Sequence, residues 1–342
     1  MRLLIITQSV DAKDPILGFF LRWIRAFAVE CDHVTVLGQR TGEFDLPSNV
    51  TVHSLGKEKG FRRSRQIFRC LRLLWSLRKQ YDAVFVHMTP VWVVLGAPVF
   101  LLLRTPVFLW YEARGGGLAL AIALHIVRRV FSATSYGLPR ASRKHTVVGH
   151  GVDTLFFQPD PSRRDPHLVC AIGRITRVKH LDQILRAFAA LPDDAQLMLA
   201  GAPITQQDTL EWERLQALMV ELNIGSRVSI QKHTQEEIRD LLQRSSLLLH
   251  AGSGGLDKVL LEAMASGCLV ATSSHAASFA LPEGCLATAQ TLPARAQEFF
   301  LLENDAREKL AHSLRERAEH KHGLSRLITQ LCQTMRNTSA SS

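Results

Sequence analysis

Cysteine is sparse in this chain: six residues in 342, at positions 31, 70, 170, 268, 285 and 332, none in a CxxC or metal-type spacing. That excludes a disulfide framework and a cysteine-ligated zinc site, and it suits reduced thiols in a cytosolic protein. There is no Asp-x-Asp and no cluster of potential ligands, so no metal is expected. Long apolar runs are also missing. Residues 91–103 make 13 before Arg104, and 118–127 are fewer; a spanning helix needs about 20. Both fit buried helices of an α/β domain, or a partly exposed surface touching lipid. Residues 1–7 are too short for a signal-peptide core with its cleavage site, and suit a first buried strand. No internal repeat or low-complexity segment is present. Acidic residues are outnumbered, 31 against 41 basic, and the net charge of +10 implies an anionic partner. Nucleic acid, anionic lipid and phosphorylated substrates all qualify.

What is present is an alternation. Short runs rich in Val, Ile or Phe at 3–6, 34–37, 50–52, 83–87, 107–110, 130–133 and 146–148 read as strands. Helical patterns such as 17–29 and 65–79 separate them, which argues for a mostly parallel sheet covered on both faces. Residues 158–166 hold three prolines in nine and read as a linker. A second series of strands follows at 168–172, 196–200, 228–231, 247–250, 268–272 and 286–288. The expected organisation is an α/β domain over 1–157, a hinge near residue 160, and a second α/β domain over 167–320. A basic helical tail covers 305–335, the stretch 321–342 packs back on the first domain, and the polar end 337–342 frays. Active sites of open α/β sheets lie at the carboxyl ends of strands, and two facing halves form a cleft.

Two stretches carry chemistry. After the strand at 168–172, Gly173 permits a sharp exit, and Arg174 and Lys179 follow as cations suited to a diphosphate. Downstream, Gly254, Gly255, Leu256, Asp257 and Lys258 lead into a helix beginning near Asp257. Leu256, Val259, Leu260, Ala263 and Met264 form its apolar stripe. Glu262 lies off that stripe, so it is either a surface glutamate or a functional carboxylate. The free N–H groups of the helix start, after Ser253, Gly254 and Gly255, suit an anion. Asp257 is an N-cap candidate. A first-turn cation opposes the helix dipole, so Lys258 is expected to be held by a bound anion.

The order Gly173-Arg174-x4-Lys179, then Leu261-Glu-Ala-Met-Ala-Ser-Gly267, resembles the C-terminal half of a family 4 glycosyltransferase of the GT-B fold, two facing Rossmann-like domains. Supporting pieces are Val148-Gly-His-Gly-Val-Asp153, Leu199-Ala-Gly201-Ala-Pro203, the loop with Lys232 and His233 before a helix at 237–242, and Pro15-Ile-Leu-Gly18-Phe-Phe. The resemblance implies retaining, metal-independent transfer from a nucleotide sugar. Arg174 and Lys179 would neutralise the leaving diphosphate, Glu262 would hold the ribose hydroxyls, and N–H groups of residues 255–258 would touch phosphate. Gly18, Gly173, Gly201, Lys232, His233, Gly254 and His150 would line the donor. The chain departs from the family at one point. Relatives carry two glutamates with seven residues between them, and the position eight before Glu262 is Gly254. Asp257 is one substitute for the missing carboxylate, and Lys258 gripping phosphate is another.

In the first domain, His87 ends one strand and Glu112 follows the next, before Arg114 and Gly115-Gly-Gly117. Either they line the acceptor side, or they are a satisfied core histidine and a surface glutamate. Residues 57–79 carry nine Lys or Arg, with Ile67, Leu71, Leu74 and Trp75 on one helical face. A packed helix with a solvated basic back, attachment to anionic lipid, and nucleic-acid binding all fit that pattern, the last without a recognised motif. The expected function is hexosyl transfer from a UDP- or GDP-sugar to a glycan or lipid-linked acceptor in cell-envelope synthesis. The expected place is the cytoplasm, peripheral to the membrane. A catalytically silent subunit binding nucleotide or glycan is the alternative, and a sugar-nucleotide epimerase a second.

Overall fold

The computed structural model describes residues 1–14 and 17–340. Pro15 and Ile16, within the expected first-strand loop, and Ser341 and Ser342, at the end of the tail, lie outside the described residues. Two compact units are present: Met1–Gly151 with Leu324–Ser342, and Val152–Gly323.

The first unit holds a seven-stranded sheet of β1 (Arg2–Val10), β2 (His33–Thr41), β3 (Val50–Ser54), β4 (Ala83–His87), β5 (Val107–Trp110), β6 (Arg129–Ser132) and β7 (His145–Val147). Their spatial order is β3-β2-β1-β4-β5-β6-β7, and every pairing is parallel. β4 and β5 are buried along their whole length, as apolar strands covered on both faces must be. One face packs α1 (Phe20–Glu30) and the C-terminal helix α11 (Leu324–Ala340) over Phe85, Phe108 and Trp110. The other packs α2 (Arg63–Ser76), α3 (Pro90–Leu102) and α4 (Leu118–Ile126) over Leu4, Ile6, Val84 and Val86.

The second unit holds β8 (Asp165–Ile172), β9 (Gln196–Ala200), β10 (Val228–Gln231), β11 (Ser245–His250) and β12 (Leu269–Thr272). Their order is β10-β9-β8-β11-β12, again all parallel. Helices α5 (Leu181–Ala189), α6 (Gln206–Glu221), α7 (Gln235–Arg244), α8 (Lys258–Ala265), α9 (Leu292–Phe300) and α10 (Asn304–His322) surround it. The strand order reverses between β8 and β11. Loops leaving the carboxyl ends of strands at such a reversal form the natural ligand crevice of an open sheet.

Several expectations are corrected. Residues 286–288 are not a strand: Leu286 makes a single bridge to Thr272, and a 3-10 turn at Glu283–Cys285 leaves no length for a ladder. Residues 158–166 lie inside the second unit, and β8 already begins at Asp165. The helical tail is two helices broken at Gly323, the first in the second unit and the last in the first unit. Residues 337–340 continue α11 rather than fray. On α2 the buried face is Gln66, Cys70 and Leu74, while Trp75 is exposed. The two apolar stretches are α3 and α4. Trp92, Val93, Ala97 and Phe100 of α3 are buried, but Leu101 and Leu102 are exposed. Among the described residues no helix is long and apolar enough to cross a membrane. All six cysteines are buried free thiols.

Candidate active site

The loops at the carboxyl ends of the second sheet are laced by main-chain bonds. Gly173 N–H donates to the Ala200 carbonyl (3.0 Å), Gly201 N–H to Gln231 (2.9 Å), Ser253 N–H to Val178 (3.2 Å) and Ser273 N–H to His250 (3.1 Å). Two glycines make this closeness possible. Gly173 has φ +147°, and a Cβ at Gly201 would lie 2.0 Å from the Gly173 carbonyl oxygen, far inside contact distance. His180, directly after Lys179, has φ +46°, an unusual conformation for a residue with a side chain. The turn carrying Lys179 meets the loop after β11 through the Ser253–Val178 bond.

Lys179 and Asp257, 78 residues apart, meet there: Lys179 Nζ lies 2.7 Å from Asp257 Oδ2. The same oxygen is 2.8 Å from His250 Nε2. His250 closes β11 and is buried, and its Nδ1 lies 2.9 Å from Thr272 Oγ1 at the end of β12. Ser274 N–H donates to that hydroxyl, and because a carboxylate only accepts, Nε2–H donates to Asp257. Burial opposes the charge on Asp257. The contacts with His250 and Lys179 outweigh it, and the carboxyl is held below its ordinary range. Asp257 occupies the N-cap position of α8, but its side chain caps nothing. His250 and Thr272 gave no signal in the sequence beyond ending strands.

Glu262 is buried, contrary to the surface alternative. α8 packs against α7, α10, β11 and β12, so every residue from Val259 to Ala265 is covered and a one-face stripe is the wrong description. A buried carboxylate must be paired, and Lys258 Nζ lies 2.5 Å from Glu262 Oε1. The first-turn lysine is thus held by a residue of its own helix. Lysine preceding glutamate at this spacing, at a helix start, is the weaker order for the helix dipole.

Arg174 is exposed. It adds to the depression of the Asp208 carboxyl, which the Thr205 main chain dominates. Lys232 is exposed, and the His233 ring hydrogen-bonds the Gln231 carbonyl through Nδ1 (2.9 Å). Gly254 is exposed, with nothing within 4 Å of the place a Cβ would take. Gly255 and buried Leu256 complete the turn into α8. No group of three or more His, Cys, Asp or Glu able to hold a metal occurs among the described residues.

Gly18, His87, Glu112 and His150 belong to the first unit. His87 ends β4, stacks on Phe20 at 4.0 Å between ring centroids, and has no hydrogen-bond partner at Nδ1 among the described residues. Burial pushes its pKa down to about 3, so the ring is neutral. Trp110 links it to His150, whose ring lies 6.0 Å away. Glu112 is turned onto the chain after β6. It accepts from Ala133 N–H (2.7 Å), Thr134 N–H (3.3 Å) and the Thr134 hydroxyl (3.2 Å). That is an anchoring role for its carboxylate. Gly18 closes a turn on the Asp14 carbonyl (2.9 Å).

The second unit contains the stretch that matches a family model. Residues 153–279 match glycosyl transferases group 1. That stretch includes all the second-unit site residues named above. Across nearly the full chain the fold is that of GT-B enzymes. HepE of Anabaena, solved in complex with UDP and glucose, matches 98% of this chain and 99% of its own, with TM-score 0.77 and 16% identity. Sucrose-phosphate synthase of Thermosynechococcus elongatus matches 100% of both chains, with TM-score 0.77 and 17% identity. The lipopolysaccharide outer core galactosyltransferase WaaB matches 98% of this chain and 100% of its own, with TM-score 0.69 and 14% identity. No curated protein matches the chain by sequence.

Proposed function

We propose that the chain transfers a hexose from a UDP- or GDP-sugar to a glycan or lipid-linked acceptor, retaining the anomeric configuration and using no metal. The observation that carries this reading is the meeting of Lys179 with the start of α8, beside buried Glu262. Arg174 and Lys179 offer charge to the diphosphate, and the first N–H groups of α8 add the helix dipole. Glu262 accepts the ribose hydroxyls. The bond from the anomeric carbon to phosphate breaks, the acceptor oxygen bonds to that carbon on the same face, and its proton passes to a phosphate oxygen. HepE, with a similar fold, was solved with UDP-glucose, which favours UDP among the donors to try first.

Acceptors held at a membrane suit α2. Phe68 and Trp75 are exposed there, and Arg65 and Arg78 lie 3.6 Å and 4.7 Å over the Phe61 and Trp75 rings. This is the pairing of aromatic body and cation that favours an anionic lipid interface. The proposed location is accordingly the cytoplasmic face of a membrane.

The test is incubation of purified chain, with EDTA present, with UDP-, GDP- and ADP-sugars and membrane-extract acceptors. Release of one nucleoside diphosphate with incorporation of its sugar as the retained anomer supports the reading. Free interconversion of sugar nucleotides, or transfer that EDTA abolishes, contradicts it. The second reading, a silent binding subunit, rests on Gly254. Nothing lies within 4 Å of the place a Cβ would take at that residue, so Gly254→Glu is expected to fold. Nucleotide binding without turnover in the natural chain, and turnover gained in Gly254→Glu, would favour it.

A further inference from the structure

The cations expected to hold a diphosphate are largely engaged within the chain itself. Lys179 is paired with Asp257 and Lys258 with Glu262, whereas Arg174 has no carboxylate within ion-pair distance among the described residues. The Asp257 pair is the more deliberate arrangement. Its carboxylate is not placed by helix capping. It is placed by a buried chain of two further groups, His250 and Thr272, drawn from the ends of two neighbouring strands. The carboxylate therefore sits on the ammonium of Lys179, at the start of a helix.

We infer that Asp257, anchored by His250, is a resident counter-anion for Lys179, which a nucleoside diphosphate must displace. The inference rests on the nucleotide-sugar reading of this site. Donor affinity is then a difference between two competing anions. Asp257 keeps Lys179 compensated when the site is empty, and its competition weakens retention of the nucleoside diphosphate after transfer. A single substitution at this position changes affinity for the diphosphate without touching the ribose or the base. A carboxylate that only steadied Lys179 for the ligand would behave in the opposite way. Its removal would loosen the lysine and weaken binding. The sign of the effect separates the two roles.

The experiment is calorimetric titration of the full chain with UDP and, separately, with inorganic pyrophosphate. It compares the natural sequence with Asp257→Asn, Asp257→Gly, Lys179→Ala and the Lys179→Ala/Asp257→Asn double variant. Both substitutions at 257 are expected to tighten UDP and pyrophosphate on the order of tenfold, the size of one charge contact at partly screened distance. Uridine, which has no phosphate, is expected to bind all variants alike. In the Lys179→Ala background the gain is expected to shrink to about twofold or less, because the competition acts through Lys179. UDP binding that weakens or stays unchanged in both 257 variants overturns the inference and leaves the transferase reading standing. The same gain with and without Lys179 also overturns it, since general repulsion then suffices. If neither probe binds the natural chain or any variant, both the inference and the nucleotide-sugar reading fall. Binding to the 257 variants alone supports the inference at its strongest.

Discussion

At the scale of single residues, charge pairs govern the second unit's site. Lys179 is within hydrogen-bond reach of Asp257 and Glu262 of Lys258, so removing either also strands a charged neighbour. Lys179→Ala and Glu262→Ala are each expected to lower turnover on the order of a hundredfold or more, the usual loss when one transition-state contact is removed. Initial rates with donor well below its KM read this out, and unchanged rates in both would remove these residues from the site. His87 gives a second prediction, in stability. Its folded pKa is pushed down to about 3, against about 6.5 in an unfolded chain. Between those values the unfolded chain binds the extra proton, so stability rises with pH there and falls as pH drops from 6.5 towards 3. The slope from this one ring is at most about 1.4 kcal/mol per pH unit. His87→Leu is expected to flatten the curve of unfolding free energy between pH 6.5 and 4 by that amount, as denaturant titrations would measure. An identical curve would mean that the ring is solvated.

At the scale of elements, α8 shows what patterning conveys and what it hides. The strands were legible because each is a short apolar run with turn residues at its ends, and twelve of the expected runs overlap a strand. Residues 286–288 look similar, but only one residue there finds a bridge. The start of α8 was legible from glycines followed by a helical pattern. The burial of Glu262 was not, because an apolar stripe marks one buried face only when the other is solvated, and α8 has almost no solvated face. His250 was invisible for another reason. Its role exists only when β11 and β12 are side by side, and nothing local in Leu-Leu-His-Ala marks a histidine that reaches Asp257. Leu260 lies in the centre of α8 and is fully buried. Leu260→Ala is expected to cost about 2–5 kcal/mol, and to weaken UDP binding as well, because the helix start moves with its core. Thermal melts with and without UDP would show both effects, and a loss of stability with unchanged affinity would separate the helix from the site.

At the scale of the whole molecule, the chain leaves the first unit at Gly151 and returns to it at Leu324. The returning helix α11 is integral to that unit's core. Leu327, Ile328, Leu331, Cys332 and Met335 are all buried beside residues of α1 and the sheet. Deleting residues 324–342 exposes that bed. The shortened chain is expected to lose the unfolding transition of the first unit, or to show it at a much lower temperature, and to bind a hydrophobic dye. An unchanged melting profile would contradict the core assignment. The net charge of +10 adds a general attraction for anions that weakens with salt, so binding at low ionic strength alone does not locate a ligand. The most direct measurement is a crystal structure of the full chain with UDP at physiological salt. The account predicts the diphosphate on Arg174, Lys179 and the first N–H groups of α8, with the ribose hydroxyls on Glu262. UDP bound elsewhere, or a ribose that does not touch Glu262, would contradict it.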